Sequence, residues 1–204
     1  ESNDLRRDYT IAPFYYSQAA VPTFEINWST TQIFNRNCGK FRRAYEILEP
    51  KHRSRTPQNF PIVRYSDVLL MFAEAENEIN GHPTSEALEA ANKVRRRGYG
   101  VDINTPNTTI DISISDYRDF QEFIYDERSR ELAYESLRKS DLVRWGNFYS
   151  KMKKCLSDAN AAPSFGDKDH AVATFTNVGQ RDVLWPIPSY EIGLNPNLTQ
   201  NQGW

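Results

Sequence analysis

The stretch Pro57-Gln58-Asn59-Phe60-Pro61-Ile62-Val63-Arg64-Tyr65-Ser66-Asp67-Val68-Leu69-Leu70-Met71-Phe72-Ala73-Glu74-Ala75-Glu76-Asn77-Glu78 decides the fold class. Its first part carries two prolines, each biasing the residue before it toward extended backbone. Beyond Pro61 the proline stops and apolar residues recur at three and four. Val68, Leu69, Met71, Phe72, Ala75 and Ile79 define one face of a helix from Tyr65 to about Asn80. Gly81 can close that helix in a left-handed conformation, and Pro83 forbids its continuation. A second helix, about Thr84 to Arg97, buries Ala87, Leu88, Ala91 and Val94, and its small residues permit close approach to the first. The pair is an antiparallel hairpin, TPR-like in its small-residue pattern, present once rather than as the array a solenoid requires.

Downstream, Ile110, Ile112 and Ile114 alternate like a short strand, and Ser115 stands where it would cap a third helix, Asp116 to about Leu137. Phe120, Phe123, Ile124 and Leu132 form the inner face of that helix. Leu142, Val143, Phe148, Met152 and Leu156 set a fourth helix, about Asp141 to Leu156. Ser157 to Asp182 has little period and reads as a long loop with a short strand at Val172 to Val178; one helical turn follows Ser189. Residues 1–61 mix aromatics with turn formers, which predicts loops and short strands, with a strand at Lys40 to Ile47 and an extended arm from Pro50 to Pro61. The expected fold is mostly α in a single domain of residues 1–204. It has a loop-rich front (1–61), a helical core (62–156) holding one hairpin and two further helices, and a loop with an extended tail (157–204).

Two further blocks stand beside the opening stretch. One is Glu127-Arg128-Ser129-Arg130-Glu131-Leu132-Ala133-Tyr134-Glu135 followed by Asp141-Leu142-Val143-Arg144-Trp145-Gly146. The other is Trp185-Pro186-Ile187-Pro188, then Glu191-Ile192, Asn195-Pro196 and Gln200-Asn201 through Trp204. In this order the three blocks resemble the SusD/RagB family, over roughly residues 40 to 204, with residues 1 to 40 matching loosely. That resemblance implies a non-enzymatic lipoprotein of the outer-membrane surface. Such proteins capture oligosaccharides or other nutrients and hand them to a SusC-like, TonB-dependent transporter. It also implies a longer precursor with a secretory signal, a lipidated cysteine and a TPR-like front half. The chain opens at Glu1-Ser2-Asn3-Asp4 without a basic flank or apolar core for a signal, so it reads as a rear portion whose membrane attachment would come from an anchor outside it. Trp145 and Trp185 lie inside family motifs and read as packing residues, whereas Trp28 does not.

Composition narrows the rest. At 204 residues the chain can bury one ordinary core, and a formal charge of −2 with dispersed basic residues argues against nucleic acid. The Arg95-Arg96-Arg97 run sits at a predicted helix end, where cations meet bare carbonyls and the negative end of the dipole. No apolar stretch approaches the ~20 residues needed to cross a bilayer. Cys38 and Cys155 match no ligand spacing and are free core thiols or one bridge. His52, His82 and His170 are isolated in predicted loops, and Asp158, Asp167, Asp169 and His170 lack calcium-loop spacing, so no metal or cofactor is expected.

A glycosidase needs two facing carboxyl groups, one with a raised pKa. Glu74, Glu76, Glu78, Glu127, Glu131 and Glu135 are available, but Glu127 with Arg130, and Arg128 with Glu131 and Glu135, stand on one helix, which predicts ion pairs and lowered pKa values. Sugar binding asks instead for flat aromatic faces ringed by amides and guanidinium groups. Tyr15, Tyr16, Asn27, Trp28 and Arg36 supply that mixture in poorly periodic sequence and are the candidate ligand-binding residues, with Gln32 and Asn35 nearby. Phe14, Phe24 and Phe34 read as core. Two alternatives stay open: a module docking the transporter without touching ligand, and a glycoside hydrolase.

Overall fold

A computed structural model describes residues 3–17, 25–49 and 55–204, with Arg43 described by its backbone. The chain divides into two units, residues 1–138 and 139–204.

The first unit is built on a helical hairpin. Helix α2 (Tyr65–Asn80) ends at Gly81, whose φ of 69° is the left-handed cap, with its N–H on the Asn77 carbonyl. Here the absence of Cβ is what lets the chain turn without strain. Helix α3 (Ser85–Gly98) begins at Thr84, whose hydroxyl accepts from Ala87 N. Helix α4 (Tyr117–Glu131) starts one residue later than Ser115 would place it, because Asp116 accepts from the N–H groups of Arg118 and Asp119. It also ends earlier than Leu137, since Tyr134 and Ser136 take φ values of 64° and 63° and turn the chain.

Leu70, Ala73, Ala87, Ala90, Ala91, Val94, Phe120 and Ile124 form the core, with Leu69, Leu88, Ile112, Ile114 and Phe123 packed against it. The alanines of α3 let α2 approach closely, as the sequence indicates. The buried face of α2 is a correction. Leu70, Ala73 and Asn77 point inward, whereas Val68, Met71 and Phe72 are nearly half exposed and Ile79 is 79% exposed. Apolar residues lie on several sides of this helix, so periodicity alone does not choose the inner one.

No strand forms at 110–114. Asn92 instead binds both backbone groups of Ile112, accepting its N–H at 2.8 Å and donating to its carbonyl at 3.2 Å. Arg95 Nε donates to the Ile110 carbonyl at 3.0 Å. With its polar backbone satisfied by side chains, the segment needs no ladder.

The front of the unit holds a short helix α1 (Arg6–Thr10) and strands β1 (Ile11–Ala12), β2 (Phe14–Tyr16), β3 (Glu25–Asn27) and β4 (Asn37–Cys38). Strand β1 pairs antiparallel with β4, and β2 with β3. The strand expected over 40–47 is absent; Arg43–Tyr45 is a 3₁₀ turn. Phe14 is buried as expected, Phe34 is 51% exposed and not core, and Phe24 lies outside the described residues. So do residues 50–54 of the extended arm, including His52.

In the second unit the expected fourth helix is two. Helix α5 (Arg138–Arg144) and helix α6 (Phe148–Ala161) are separated at Gly146, φ 71°. The loop and strand expected over 157–182 are replaced by the end of α6, helix α7 (Lys168–Asn177), which carries His170, and a 3₁₀ turn at Gln180–Val183. Lys153 Nζ donates to the carbonyls of Phe175 and Thr176, tying α6 to the end of α7. Helix α8 (Ser189–Leu194) is the turn expected after Ser189. Trp145 is half-buried, but Trp185 is 75% exposed beneath the Lys139 ammonium at 4.1 Å, so it is not a packing residue in this unit. Cys38 and Cys155 are free; Cys38 is exposed and not core. No described helix is long and apolar enough to cross a membrane.

Candidate functional site

Four of the five candidate residues meet on one hairpin. The β2–β3 register places Phe14 opposite Asn27, Tyr15 opposite Ile26 and Tyr16 opposite Glu25. Trp28 follows β3, donates its N–H to the Pro13 carbonyl at 2.8 Å, and lays its indole against Tyr15 with centroids 4.4 Å apart. Tyr16 is exposed and stands edge-on to the buried Phe14 ring at 5.6 Å. Alternation in β2 places Phe14 and Tyr16 on one face and Tyr15 on the other, and exposure rises from Phe14 to Tyr16 toward the end of the strand. Arg36 is engaged elsewhere, with Nη1 3.4 Å from Asp8.

Two cavities in the same unit adjoin the hairpin. A small one of about 230 Å³ is lined by Tyr15, Tyr16 and Asn37 on one side and by Lys40, Phe41 and Arg42 on the other. The larger, about 480 Å³, shares those last three residues and adds Tyr9, Tyr45, Arg64 and Arg97, with Glu131 and Glu135. That volume is in the range of small-molecule sites. The Tyr9 and Tyr45 rings stack at 6.2 Å and are 43% and 60% exposed. Phe41 holds a φ of 57°, uncommon for a bulky residue, with its ring against Phe60 at 5.7 Å.

The wall of the larger cavity is an ion-pair network. Glu131, 2% exposed, meets Arg64 at 3.0 Å, Arg6 at 3.2 Å, and Arg97. Glu127 meets Arg6 at 2.7 Å and Arg130 at 3.2 Å; Glu135 meets Lys40, and Arg64 at 2.7 Å. Arg128 crosses to Asp67 on α2 at 2.8 Å. Asp4 orients Arg6 through two bonds of 2.9 and 2.7 Å. Gly98 is required behind it, because a Cβ there would overlap the Arg6 guanidinium. The sequence anticipates the Glu127–Arg130 pair; it does not anticipate that Arg6, 121 residues away, is the buried hub. Each arginine of the Arg95-Arg96-Arg97 run meets a carboxylate or a carbonyl, with Arg96 held by Glu89 of α3 and by Asp111.

Burial alone would push Glu131 up, but Arg97, Arg64, Ser66 and Arg6 outweigh it and hold the group below the usual glutamate range. Glu135 behaves the same way, burial being outweighed by Arg64 and Lys40. A general acid needs the opposite shift. Because the folded pKa values lie below the unfolded value of about 4.3, the stability they contribute is complete above that pH and is lost as the pH falls through the folded values. Thermal melts from pH 7 to pH 3 should therefore show Tm steady down to about pH 5 and falling below it. A Tm that stays level to pH 3 would contradict the network.

Tyr9, Phe41, Arg42 and Tyr45 were not among the sequence candidates. Nothing in their spacing marks them; they converge because β4 pairs with β1 and brings the 39–45 turn over α1. Arg42 fixes that convergence by donating to the carbonyls of Gly39, Asp8 and Tyr9 at 3.0, 2.6 and 2.8 Å. Among the described residues no group of three or more His, Cys, Asp and Glu could hold a metal ion.

Comparison with known proteins places this architecture. The SusD family model matches residues 3–204, reaching further forward than the resemblance over roughly residues 40 to 204. The chain is 35% identical over 201 residues to SusD-like protein P25 of Formosa agariphila, covering 98% of this chain and 31% of that protein. It is 28% identical over 153 residues to the starch-binding protein SusD of Bacteroides thetaiotaomicron, covering 75% of this chain and 23% of that one. A solved SusD homologue from Bacteroides thetaiotaomicron superposes with a TM-score of 0.83 at 29% identity, over 99% of this chain and 41% of that one. The chain thus spans less than half the length of these relatives. With the helical hairpin, the buried glutamate–arginine network and the closing tryptophan segment all inside the matched range, this chain belongs to the SusD family.

Proposed function

We propose that this protein binds a glycan without breaking it, at the outer-membrane surface, and passes it to a TonB-dependent transporter of the SusC type. Family membership supports the class, and a relative named as starch-binding supports carbohydrate as the ligand. The observation that carries the reading is the hairpin, where Tyr15, Tyr16, Asn27 and Trp28 come together with one ring exposed beside an open cavity. Arg36 is kept in the proposed set only by its place beside Asn37 in the chain; to reach a ligand its guanidinium would have to leave Asp8. In this reading the exposed Tyr16 face covers the apolar side of a sugar ring while Asn27 and Arg36 bond its hydroxyls. No covalent step is involved, consistent with glutamates held ionised by arginines.

Isothermal titration with a panel of neutral oligosaccharides tests the proposal. Tyr16→Ala and Trp28→Ala should each weaken binding about tenfold, the loss of roughly 1.4 kcal/mol expected for a central aromatic contact. A thermal melt of Tyr16→Ala, whose ring is 36% exposed and touches Phe14, checks that the front segment remains folded. Unchanged affinity in both variants, together with lost co-purification with the transporter, would instead make the hairpin a docking element.

A further inference from the structure

The larger cavity carries more positive charge than its own carboxylates neutralise. Arg6, Lys40, Arg42, Arg64 and Arg97 line it against Glu131 and Glu135. Charge left uncompensated in a partly enclosed site is unfavourable until a counter-charge arrives.

Two of these guanidinium groups also have donors to spare. Arg42 commits Nε and Nη2 to backbone carbonyls and pairs with no carboxylate among the described residues; its Nη1 bonds to no described acceptor. Its position is fixed twice over, by those carbonyls and by the rings of Tyr9 and Phe14 at 4.7 and 5.2 Å. Arg97 commits Nη2 to Glu131, and its side chain is 53% exposed, with Nε and Nη1 bonding to no described acceptor. A fixed, planar fork with free N–H groups matches the oxygens of a carboxylate or a sulfate better than it matches scattered hydroxyls. Arg42 lies over the Tyr9 ring, and Tyr45, stacked on Tyr9 and 60% exposed, offers a flat apolar face to the same cavity.

We propose that this cavity is a subsite for an anionic sugar unit, one bearing a carboxylate or a sulfate ester, with the ring on Tyr45 and the anionic group on Arg42 and Arg97. The inference rests on the glycan-binding reading and adds the charge of the ligand to it. The cavity adjoins the hairpin through Lys40, Phe41 and Arg42, so a chain of a few sugars seated on Tyr16 extends into it.

The test is calorimetric titration of the full chain with three probes of matched length: trigalacturonate, a sulfated galactotriose and neutral galactotriose. Either anionic probe, or both, should bind at least tenfold tighter than the neutral one, and raising NaCl from 50 to 300 mM should shrink that margin. Carboxylate preferred over sulfate, or the reverse, identifies the group. Arg97→Gln, on an exposed side chain, should lower anionic affinity roughly tenfold and leave neutral affinity unchanged. Arg42→Gln should do the same, with a melt to confirm that the front segment remains folded. Neutral and anionic probes bound alike, or anionic affinity indifferent to both substitutions, would overturn the subsite. If the neutral probe still binds and Tyr16→Ala weakens it, the glycan reading survives that failure; if no probe binds, both readings fall.

Discussion

Glu131→Ala is expected to lower the unfolding free energy by about 3–5 kcal/mol, measured by denaturant melts. The carboxylate is 2% exposed and faces Arg6, Arg64 and Arg97. Removing it leaves three guanidinium groups crowded at one point with their counter-charge gone. Much of the loss is the cost of stranding these cations rather than the worth of any single pair. Glu131→Gln separates the two contributions, since it keeps the shape and one acceptor and removes only the charge. It should lose less than the alanine variant and should flatten the fall in Tm below pH 5. A loss under 1 kcal/mol for Glu131→Ala would show that the network does not hold the unit together. The same variant bears on the hydrolase alternative: release of reducing sugar by the parent protein, abolished in Glu131→Gln, would restore it.

Phe120→Ala should cost about 3–5 kcal/mol, as expected for deleting a fully buried ring and leaving a cavity. Phe120 is 0% exposed and packs beside Phe123 at 6.0 Å, within the core shared by α2, α3 and α4. Ile79→Ala is the contrasting experiment. That residue is as apolar, but at 79% exposure its truncation should change stability by no more than about 0.5 kcal/mol. If the two costs proved comparable, the inner face of α2 would have to be the one its periodicity suggests, through Val68, Phe72 and Ile79, rather than the one through Leu70, Ala73 and Asn77.

The contrast shows why some of the fold was legible and some was not. The limits of α2 and the hairpin were readable because Pro61, Gly81, Pro83 and Thr84 act on backbone within a residue or two of themselves. Which face of α2 turns inward depends on what packs there. Ala73 and the alanines of α3 allow close approach, while the larger Phe72 does not, and periodicity weighs them alike. The 157–182 segment failed for a related reason. Its helix α7 has little amphipathic pattern of its own and is tied to α6 by Lys153 binding the carbonyls at its end. At 110–114, alternation suggested a strand, but Asn92 and Arg95 supplied from α3 the bonds a neighbouring strand would have given.

The candidate site divides along the same line. Tyr15, Tyr16, Asn27 and Trp28 could be chosen from composition because they fall close together in the chain, and the hairpin joins them. Tyr9, Arg42, Tyr45 and Arg97 could not, because only the pairing of β1 with β4 and the packing of α1 on α4 bring them to one cavity.

The order of three motifs and the boundaries of the hairpin were determined by sequence alone, since each follows from residues close together in the chain. The hub made by Arg6, the face that α2 buries and the cationic cavity with its unspent arginine donors were decided by tertiary structure. Those features depend on which distant groups share a low-dielectric space, and proximity of that kind leaves no periodic trace along a chain.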